Sequence, residues 1–388
     1  MIIMREIRST QMTANNPYPF AHWMLREIYE QPATLSATID HYVQGDGFQA
    51  DTCASALAWL AGIQSKLVIA ASGSSRHAGL FAELLIEDLS GIAVDVEYAS
   101  EYCYRSEKSL TDAAVMVISQ SGETADTLAA LRKANLAGHA TLVIANVKDS
   151  TMAREATASL PSLAGRERAI PATKSFTAQL LNLYLLALMG AEVRGAIDSA
   201  ELAGRLWEVA QLPFKIEKQL KGWDDAMRQV AGHYRAAKNF LFLGRGLHYS
   251  IAREGALKLK ESAYLHAEGY PSGELKHGPN ALVAEGTPLV MIATVDRSDV
   301  ASQLRYDKVL QLMRDMRAQG ASVLAIANLG DDAVAELASH TVYVEECREA
   351  LLAICEVIPL QFLSCWMAVN NGIDVDHPRN LTKAVLAE

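Results

Sequence analysis

Three features are scarce or absent in this sequence: clustered basic residues, closely spaced cysteines and long apolar runs. Asp and Glu number 45 against 35 Lys and Arg, the formal net charge is −10, and no Lys/Arg block is present. A nucleic-acid-binding protein needs such a block to follow the phosphate backbone, so this class is not indicated. We expect no apolar run of the roughly 18 residues that a membrane span needs, and the N-terminus lacks the pattern of a signal peptide.

The five cysteines are odd in number, widely spread and contain no CxxC pair. This usage predicts buried structural thiols and a reducing cytoplasm rather than a disulfide framework or a zinc site. The acids and histidines show no ligand spacing such as HExxH, so no metal and no cofactor are expected.

The chain of 388 residues, half of them hydrophobic, is long enough for two domains with substantial cores. Strand-like apolar runs alternate with helix-like segments in both halves, and the runs lie at 67–75, 115–124, 140–150, 239–250, 288–296 and 321–331. This alternation predicts an α/β protein with two similar domains, each a parallel sheet flanked by helices in a flavodoxin-like three-layer arrangement.

The predicted organisation has four parts. A flexible N-terminal segment covers 1–19, a first domain with an N-terminal helix covers 20–209, a second domain covers 210–376, and a tail covers 377–388. Pro213, within a helix-like stretch, marks the expected boundary.

The most informative motif is VMVISQSGET at 115–124, an apolar run that ends in Ser119, Gln120, Ser121 and Thr124 before a helix-like segment. Hydroxyls at a helix N-terminus, beside free N–H groups, favour an anion. A second hydroxyl cluster follows the strand-like run at 67–71, and it includes Ser75. Together they predict a site for a small phosphorylated metabolite at the carboxyl ends of parallel strands. The alternative is an ordinary strand-to-helix turn with Ser/Thr capping. No complete nucleotide-binding motif is present.

A second candidate group lies in the other half of the chain. Glu254, Lys258 and Glu261 are spaced i, i+4 and i+7, so a helix would align them on one face. The alternative is a solvated ladder of surface ion pairs. His277 lies in GELKHGP, where glycine and proline frame a loop. A carboxylate can move a proton and an imidazole can act as a weak acid near neutral pH, but a single loop histidine can also be inert.

These residues together resemble the sugar isomerase (SIS) domain family, and in particular the tandem-domain isomerase half of the glutamine–fructose-6-phosphate amidotransferases. The resemblance runs from about residue 20 nearly to the C-terminus, with several long motifs in the same order. They are HWMLREIYEQP (22–32), SGSS (72–75), SQSGETADTL (119–128), ATKSFTAQL (172–180), EGALKLKESAYLHAEGYPSGELKHGP (254–279) and DVDHPRNLTKAV (374–385).

The resemblance implies a role for each matched position. Phosphate contacts are implied for Ser75, Ser119, Gln120, Ser121 and Thr124, and sugar contacts for the backbone around Ile170 and Thr382. Glu261 is implied to move a proton between C1 and C2, with Lys258 as its neighbour. His277 is implied to open the sugar ring from the other subunit of a homodimer, and Lys383 to form a Schiff base with a ketose carbonyl.

The departures from this family concern the reaction. The amidotransferase carries a glutaminase domain in front of its isomerase half, and this sequence contains none. Ala172 stands where a serine is usual, and Pro171 and His377 also differ. We therefore expect deamination of glucosamine 6-phosphate, or of a close amino-sugar phosphate, to fructose 6-phosphate and ammonia. The alternatives are a synthase subunit supplied with ammonia or by a separate glutaminase, a plain phosphosugar isomerase, and a non-catalytic phosphosugar sensor.

Overall fold

The computed structural model describes residues 16–106 and 112–386. Most of the predicted flexible segment, residues 1–15, therefore lies outside the described residues. Two α/β halves are present, each built on a five-stranded parallel sheet. The prediction of two parallel sheets flanked by helices is confirmed.

The first half is preceded by two entry helices and a small two-stranded hairpin. Its sheet has the order β4-β3-β5-β6-β7. The elements are α1 (Trp23–Tyr29), α2 (Gln31–Tyr42), β1 (Val43–Gln44), β2 (Gly47–Phe48), α3 (Ala50–Ala61), β3 (Lys66–Ala71), α4 (Gly73–Ser90), β4 (Ala93–Tyr98), α5 (Ala99–Tyr102), β5 (Ala113–Ser119), α6 (Ala125–Leu136), β6 (Thr141–Ala145), α7 (Thr151–Glu155), β7 (Ala158–Ser159) and α8 (Lys174–Val193).

The long helix α9 (Ser199–His233) leads into the second half, whose sheet has the order β12-β11-β10-β8-β9. Two 3₁₀ helices, Ser272–His277 and Pro279–Leu282, follow β9. The remaining elements are β8 (Asn239–Gly244), α10 (Leu247–Ala263), β9 (His266–Pro271), β10 (Pro288–Ala293), α11 (Val300–Ala318), β11 (Ser322–Asn328), α12 (Asp332–Ala335), β12 (His340–Val344) and α13 (Glu349–Asn370).

Strand register brings the polar ends of neighbouring strands to one edge of the first sheet. All seven residues of β5 are buried, as expected for a parallel strand covered on both faces. Ile118 pairs with Ala71 of β3, and Ser119 pairs with Ala145 of β6. The hydroxyl clusters at 72–75 and 119–124 therefore leave the sheet side by side.

Two core helices correct the expectation about apolar runs. By length and composition alone α8 and α13 could each cross a membrane. Their most apolar windows are, however, 89% and 94% buried inside the protein. Helix α8 packs mainly against α4, α2 and α3, and α13 packs mainly against α10 and α9, so their apolar surface is buried within the fold.

Residue 210 and Pro213 lie inside α9, which continues through both positions for 35 residues. One hydrophobic core also extends across the two halves; it contains Phe81 and Leu181 as well as Ile251 and Leu360. The precise division between the predicted domains stays a prediction, but Pro213 does not end a helix.

Candidate active site

The turn between β5 and α6 forms a compact group of hydroxyls. Ser119 is 3% exposed, and its Oγ lies 3.3 Å from Oγ1 of Thr124 and accepts a hydrogen bond from the Gly122 amide at 3.0 Å. Thr124 occupies the N-cap position of α6 but its side chain makes no capping bond. The Thr124 hydroxyl faces Ser119 across the turn instead of capping α6, but the Ser119 and Ser121 hydroxyls accept hydrogen bonds from turn amides, so the alternative of an ordinary turn stays open.

Gly122 gives this turn its shape. Its φ is +69°, a conformation that side chains disfavour, and a Cβ there would lie 2.1 Å from Oγ of Ser150. Ser121 Oγ accepts a hydrogen bond from the Glu123 amide, and the Gln120 carbonyl accepts one from Asn146. The turn is thus fixed by its own polar groups before any ligand enters.

Ser75 lies in the first turn of α4, which follows the end of β3, the strand next to β5. It is buried, and its Oγ accepts a hydrogen bond of 3.1 Å from Nε2 of Gln179 on α8. Ser74, one residue earlier, faces the other half of the protein, where its Oγ donates to Glu254 at 2.8 Å. The first turn of α4 therefore contacts both the first sheet and α10.

The predicted alignment of Glu254, Lys258 and Glu261 on one helix face is confirmed on α10. Lys258 Nζ lies 2.5 Å from Glu261 Oε2 and 3.4 Å from Glu254 Oε1. The side chains of Glu254 and Lys258 are 0% and 1% exposed, whereas that of Glu261 is 22% exposed. The alternative of a solvated ladder of surface ion pairs is wrong. Of the two carboxylates, that of Glu261 is the one partly exposed to a ligand.

Charges within this group stabilise its ionised forms. Burial acts to lower the pKa of Lys258, but the carboxylates of Glu261 and Glu254 outweigh it and the pKa is raised. Burial likewise acts to raise the pKa of Glu254, yet Lys258, His77 and Ser74 together hold it below its ordinary value. Nδ1 of His77 lies 2.8 Å from Glu254 Oε2. Glu254 thus joins α4 of the first half to α10 of the second.

The C-terminal tail brings Lys383 into the same region. Its Nζ donates to Glu167 Oε2 at 2.5 Å, to the Ala169 carbonyl at 2.7 Å and to the Ile170 carbonyl at 3.5 Å. The Ile170 amide in turn donates to the carbonyl of Asp376, at the start of the tail. Lys383 is therefore not a frayed surface lysine.

The tail also contacts the hydroxyl turn. The amide of Ala125, the first residue of α6, donates to the Val385 carbonyl at 3.0 Å. On the other side, Glu167 is among the carboxylates that raise the pKa of Lys258. The tail therefore bonds both the residue that follows the hydroxyl turn and, through Lys383, the segment 167–170, while Ser74 links the first turn of α4 to the α10 acid–base group.

Two predicted residues have side chains outside this cluster. His277 ends a short 3₁₀ helix and is exposed, and within the described residues its side chain has no hydrogen-bond partner. Thr382 is exposed, and its Oγ1 donates to the Ala384 carbonyl. A single copy of the chain does not bring the His277 imidazole into contact with Glu261.

Sequence reasoning missed several residues that build the site. Glu167 anchors Lys383 from 216 positions away, His77 contacts Glu254 from 177 positions away, and Gln179 holds Ser75. Glu27 accepts hydrogen bonds from the amides of Arg168 and Ala169 and so fixes the same backbone segment. Spacing along the chain gives no signal for contacts of this kind. Among the described residues no group of three or more His, Cys, Asp or Glu side chains could hold a metal ion.

Comparison with known proteins gives the family. The model of the SIS domain matches residues 63–189 and 233–371, one match in each half. The chain belongs to the SIS domain family.

Curated relatives align with this SIS protein over part of their length only, and they are larger enzymes. Glutamine–fructose-6-phosphate aminotransferase [isomerizing] from Chlorobaculum tepidum is 40% identical over 378 residues, covering 95% of this chain. That match covers 59% of the relative, so the chain spans about three fifths of the length of the curated relatives it matches. The chain is thus a pair of SIS domains.

Solved structures agree with this assignment. The C-terminal domain of glucosamine-fructose-6-phosphate aminotransferase from Francisella tularensis superposes with a TM-score of 0.86 at 34% identity, covering 94% of this chain and 100% of that one. A glucosamine-6-phosphate deaminase from Thermotoga maritima superposes with a TM-score of 0.68 at 23% identity, covering 94% of this chain and 99% of that one. At that identity the second likeness shows a shared fold alone.

Proposed function

We propose that this SIS protein interconverts an amino-sugar 6-phosphate and a ketose 6-phosphate, with deamination of glucosamine 6-phosphate as its leading reaction. One observation carries the proposal: Lys383, an amine able to form an imine, is held by Glu167 and the carbonyls of Ala169 and Ile170, and the tail that carries it bonds the first residue of α6 beside the hydroxyl turn. A sugar phosphate held by the turn would present its first carbons to these groups.

The first step is capture of the phosphate by Ser75, Ser119, Gln120, Ser121 and Thr124. The Ser119 and Thr124 hydroxyls already converge within 3.3 Å, and the N-terminus of α6 adds a favourable dipole. Because the turn is fixed by its own hydrogen bonds, little ordering is needed when the phosphate binds. The backbone around Ile170 and Thr382 would then contact the sugar hydroxyls.

Proton transfer is the second step. After ring opening, the Glu261 carboxylate takes the proton from C2 and returns it to C1, while one proton of the C2 amine passes to O1, so that the C1 aldehyde becomes a hydroxymethyl group and the C2 amine becomes an imine. Lys258 lies 2.5 Å from the same carboxylate, so its ammonium group can stabilise the negative charge that develops on the enaminol intermediate. Glu254 keeps Lys258 in place from the buried side.

Release of ammonia is the third step. The Lys383 amine replaces ammonia at C2 and forms a Schiff base, and water then hydrolyses that imine to give fructose 6-phosphate and to regenerate Lys383. Ala172, at the end of the segment that contacts Lys383, presents a methyl group where a serine would present a hydroxyl. We expect this difference to affect which amino sugar is preferred.

The direct test is an assay of the purified chain with glucosamine 6-phosphate and without glutamine. We expect stoichiometric ammonia and fructose 6-phosphate, measured by coupled enzymes, and no ammonia from N-acetylglucosamine 6-phosphate, whose amide cannot form the C2 imine. Interconversion of fructose 6-phosphate and glucose 6-phosphate without any ammonia release would instead support plain isomerisation. Absence of both reactions, with phosphosugar binding retained, would support the sensor.

Synthesis is the second candidate reaction, because the relatives at about two-fifths identity carry the name of an aminotransferase that uses glutamine. It is the reverse of the proposed deamination at the same residues. Formation of glucosamine 6-phosphate from fructose 6-phosphate and ammonium salts would support it, as would activity that appears only with a separate or attached glutaminase.

A cytoplasmic location stays a prediction.

We further propose that the protein is a homodimer in which His277 opens the sugar ring of the neighbouring subunit. The exposed position of this imidazole, outside the cluster of its own chain, supports the arrangement. An imidazole suits the task because it exchanges a proton near neutral pH.

Mixed dimers of two inactive variants would test this arrangement. We expect His277→Ala and Glu261→Gln to be inactive separately and to regain about one quarter of wild-type activity when refolded together, since half of the dimers are mixed and each has one intact site. Mixtures that stay inactive while forming mixed dimers would place His277 in its own subunit's site. His266→Ala, on the exposed start of β9, serves as the matched control and should be active alone.

A further inference from the structure

Three acceptors surround the Lys383 ammonium group at the inner end of the site. They are Oε2 of Glu167 at 2.5 Å, the Ala169 carbonyl at 2.7 Å and the Ile170 carbonyl at 3.5 Å. An ammonium group has three N–H donors, and this group of acceptors, which we call the acceptor cage, matches them in number. One acceptor is a full carboxylate, so the cage suits a cation.

The carboxylate of the cage is rigid and ionised. Glu167 is fully buried, and it accepts hydrogen bonds from the Thr173 amide at 3.0 Å, the Ser175 amide at 3.1 Å and the Ser175 hydroxyl at 2.6 Å. Burial acts to raise the pKa of Glu167, but Lys383 and these donors outweigh it and hold the pKa low. Because its position does not depend on Lys383 alone, the carboxylate stays in place when the lysine moves away.

A second carboxyl fixes the two carbonyl groups. Glu27 accepts from the Arg168 amide at 2.5 Å and from the Ala169 amide at 3.3 Å, and Lys174 pairs with the neighbouring Glu30. Burial, and then the nearby charge of Glu167, raise the pKa of Glu27. Glu27 makes no hydrogen bond to Lys383, so it belongs to the support of the cage and not to the cage.

We propose that the acceptor cage is the ammonium subsite of the enzyme: it holds Lys383 in the free protein and takes the departing ammonia when Lys383 moves to C2 of the sugar. The inference rests on the proposed function, in which a C2 nitrogen and the Lys383 nitrogen exchange on one carbon. Both nitrogens carry N–H donors of the same geometry, so one set of acceptors serves each in turn.

The exchange balances without any further reactant. The lysine ammonium group and the neutral C2 imine of the sugar give the protonated lysine imine and one molecule of ammonia, with four N–H hydrogens and one positive charge on each side. The C2–N bond to ammonia breaks as the C2–N bond to Lys383 forms. Ammonia that takes the proton of the lysine imine becomes ammonium, leaves that imine neutral, and pairs with the Glu167 carboxylate, which the departing lysine has left without a cation.

The test compares a reaction that involves nitrogen with one that does not, in the same variant. Glu167→Gln keeps an acceptor oxygen but removes the charge. We expect it to raise the KM for ammonium in glucosamine 6-phosphate formation by at least about tenfold, the loss of one charge-assisted hydrogen bond, and to change the KM and kcat of fructose 6-phosphate to glucose 6-phosphate isomerisation by a clearly smaller factor. Glu167→Asp, which restores the charge, should recover a lower ammonium KM than Glu167→Gln.

The matched control is Glu27→Gln, which alters a buried carboxyl of α1 that bonds the same backbone segment without contacting Lys383. We expect it to change the two reactions to the same small extent. Equal losses of both reactions in Glu167→Gln would mean that Glu167 only supports the fold, and an unchanged ammonium KM would mean that ammonia departs elsewhere. Either result overturns the inference.

Ammonium inhibition of the nitrogen-free isomerisation separates this inference from the proposed function. Ammonium chloride should inhibit the wild-type enzyme more than potassium chloride at equal ionic strength, and this difference should vanish in Glu167→Gln. A wild-type enzyme that isomerises sugar phosphates and shows this inhibition, but releases no ammonia, would contradict deamination and retain the subsite. A wild-type enzyme that releases ammonia but shows no specific ammonium inhibition would contradict the subsite alone.

Discussion

Glu261→Gln is expected to lower kcat by about 10²–10⁴-fold, the range that a positioned general base contributes, while leaving the affinity for fructose 6-phosphate unchanged. An amide cannot accept the proton from C2, so the step that moves hydrogen between the two carbons fails. The phosphate contacts lie on the first half of the chain and Glu261 lies on α10, so binding and chemistry are separable. Steady-state rates of deamination and calorimetric titration with fructose 6-phosphate would measure the two effects.

Glu268→Gln is the matched control for this variant. Glu268 lies on β9, close to α10 in sequence, and its side chain is 40% exposed. Its carboxylate contacts the Tyr270 hydroxyl and none of the groups proposed for catalysis. We expect wild-type rates for this control. A Glu261→Gln enzyme with a wild-type kcat would show that another group moves the proton, and loss of fructose 6-phosphate binding would show that Glu261 acts mainly in binding.

Local sequence patterns predicted the parts of the site that one element carries. The spacing of Glu254, Lys258 and Glu261 identified one face of α10, because helical geometry alone decides which side chains are neighbours at i, i+4 and i+7. The apolar run before Ser119 likewise identified β5, since a strand buried on both faces reads as a continuous hydrophobic stretch. These predictions needed no knowledge of the rest of the chain.

Local patterns failed where burial or long-range contact decides the outcome. The same spacing on α10 fits a solvated ladder equally well, and the packing of other elements, α4 and α13 among them, against α10 decides that Lys258 and Glu254 are buried. Glu167 had no role in the sequence because its partner Lys383 lies at the other end of the chain. Pro213 suggested a boundary, yet it lies inside α9, whose packing outweighs the loss of one helical hydrogen bond.

The second large effect is expected for the contact between the two halves: Glu254→Gln should lower the free energy of unfolding by about 3–5 kcal/mol, as when one partner of a buried ion pair is removed. The variant leaves His77 without a carboxylate and Lys258 with Glu261 alone. Glu254 is fully buried and contacts Ser74, His77 and Lys258. Because water does not reach these groups, their lost contacts are not replaced by hydrogen bonds to solvent. Urea unfolding at pH 7 would measure the change.

The pH dependence of this effect has a defined sign. The pKa of Glu254 is lowered in the folded chain, so its contribution to stability is present above its ordinary pKa of 4.5 and is lost as the pH falls through the lower folded value. The difference in the free energy of unfolding between wild type and Glu254→Gln should therefore be largest at pH 7 and should decrease below pH 4.5. A difference that stays constant down to acid pH would mean that the charge of Glu254 does not stabilise the fold.

Glu356→Gln provides the comparison that separates stability from catalysis. Glu356 is equally buried and lies 2.9 Å from Nδ1 of His248, but both residues belong to the second half and contact none of the catalytic groups. We expect both variants to lose stability, and only Glu254→Gln to lose kcat at a temperature where each is folded, because only Glu254 holds Lys258 beside Glu261. Equal kcat values in the two folded variants would show that the contact between α4 and α10 supports the fold without positioning the acid–base group.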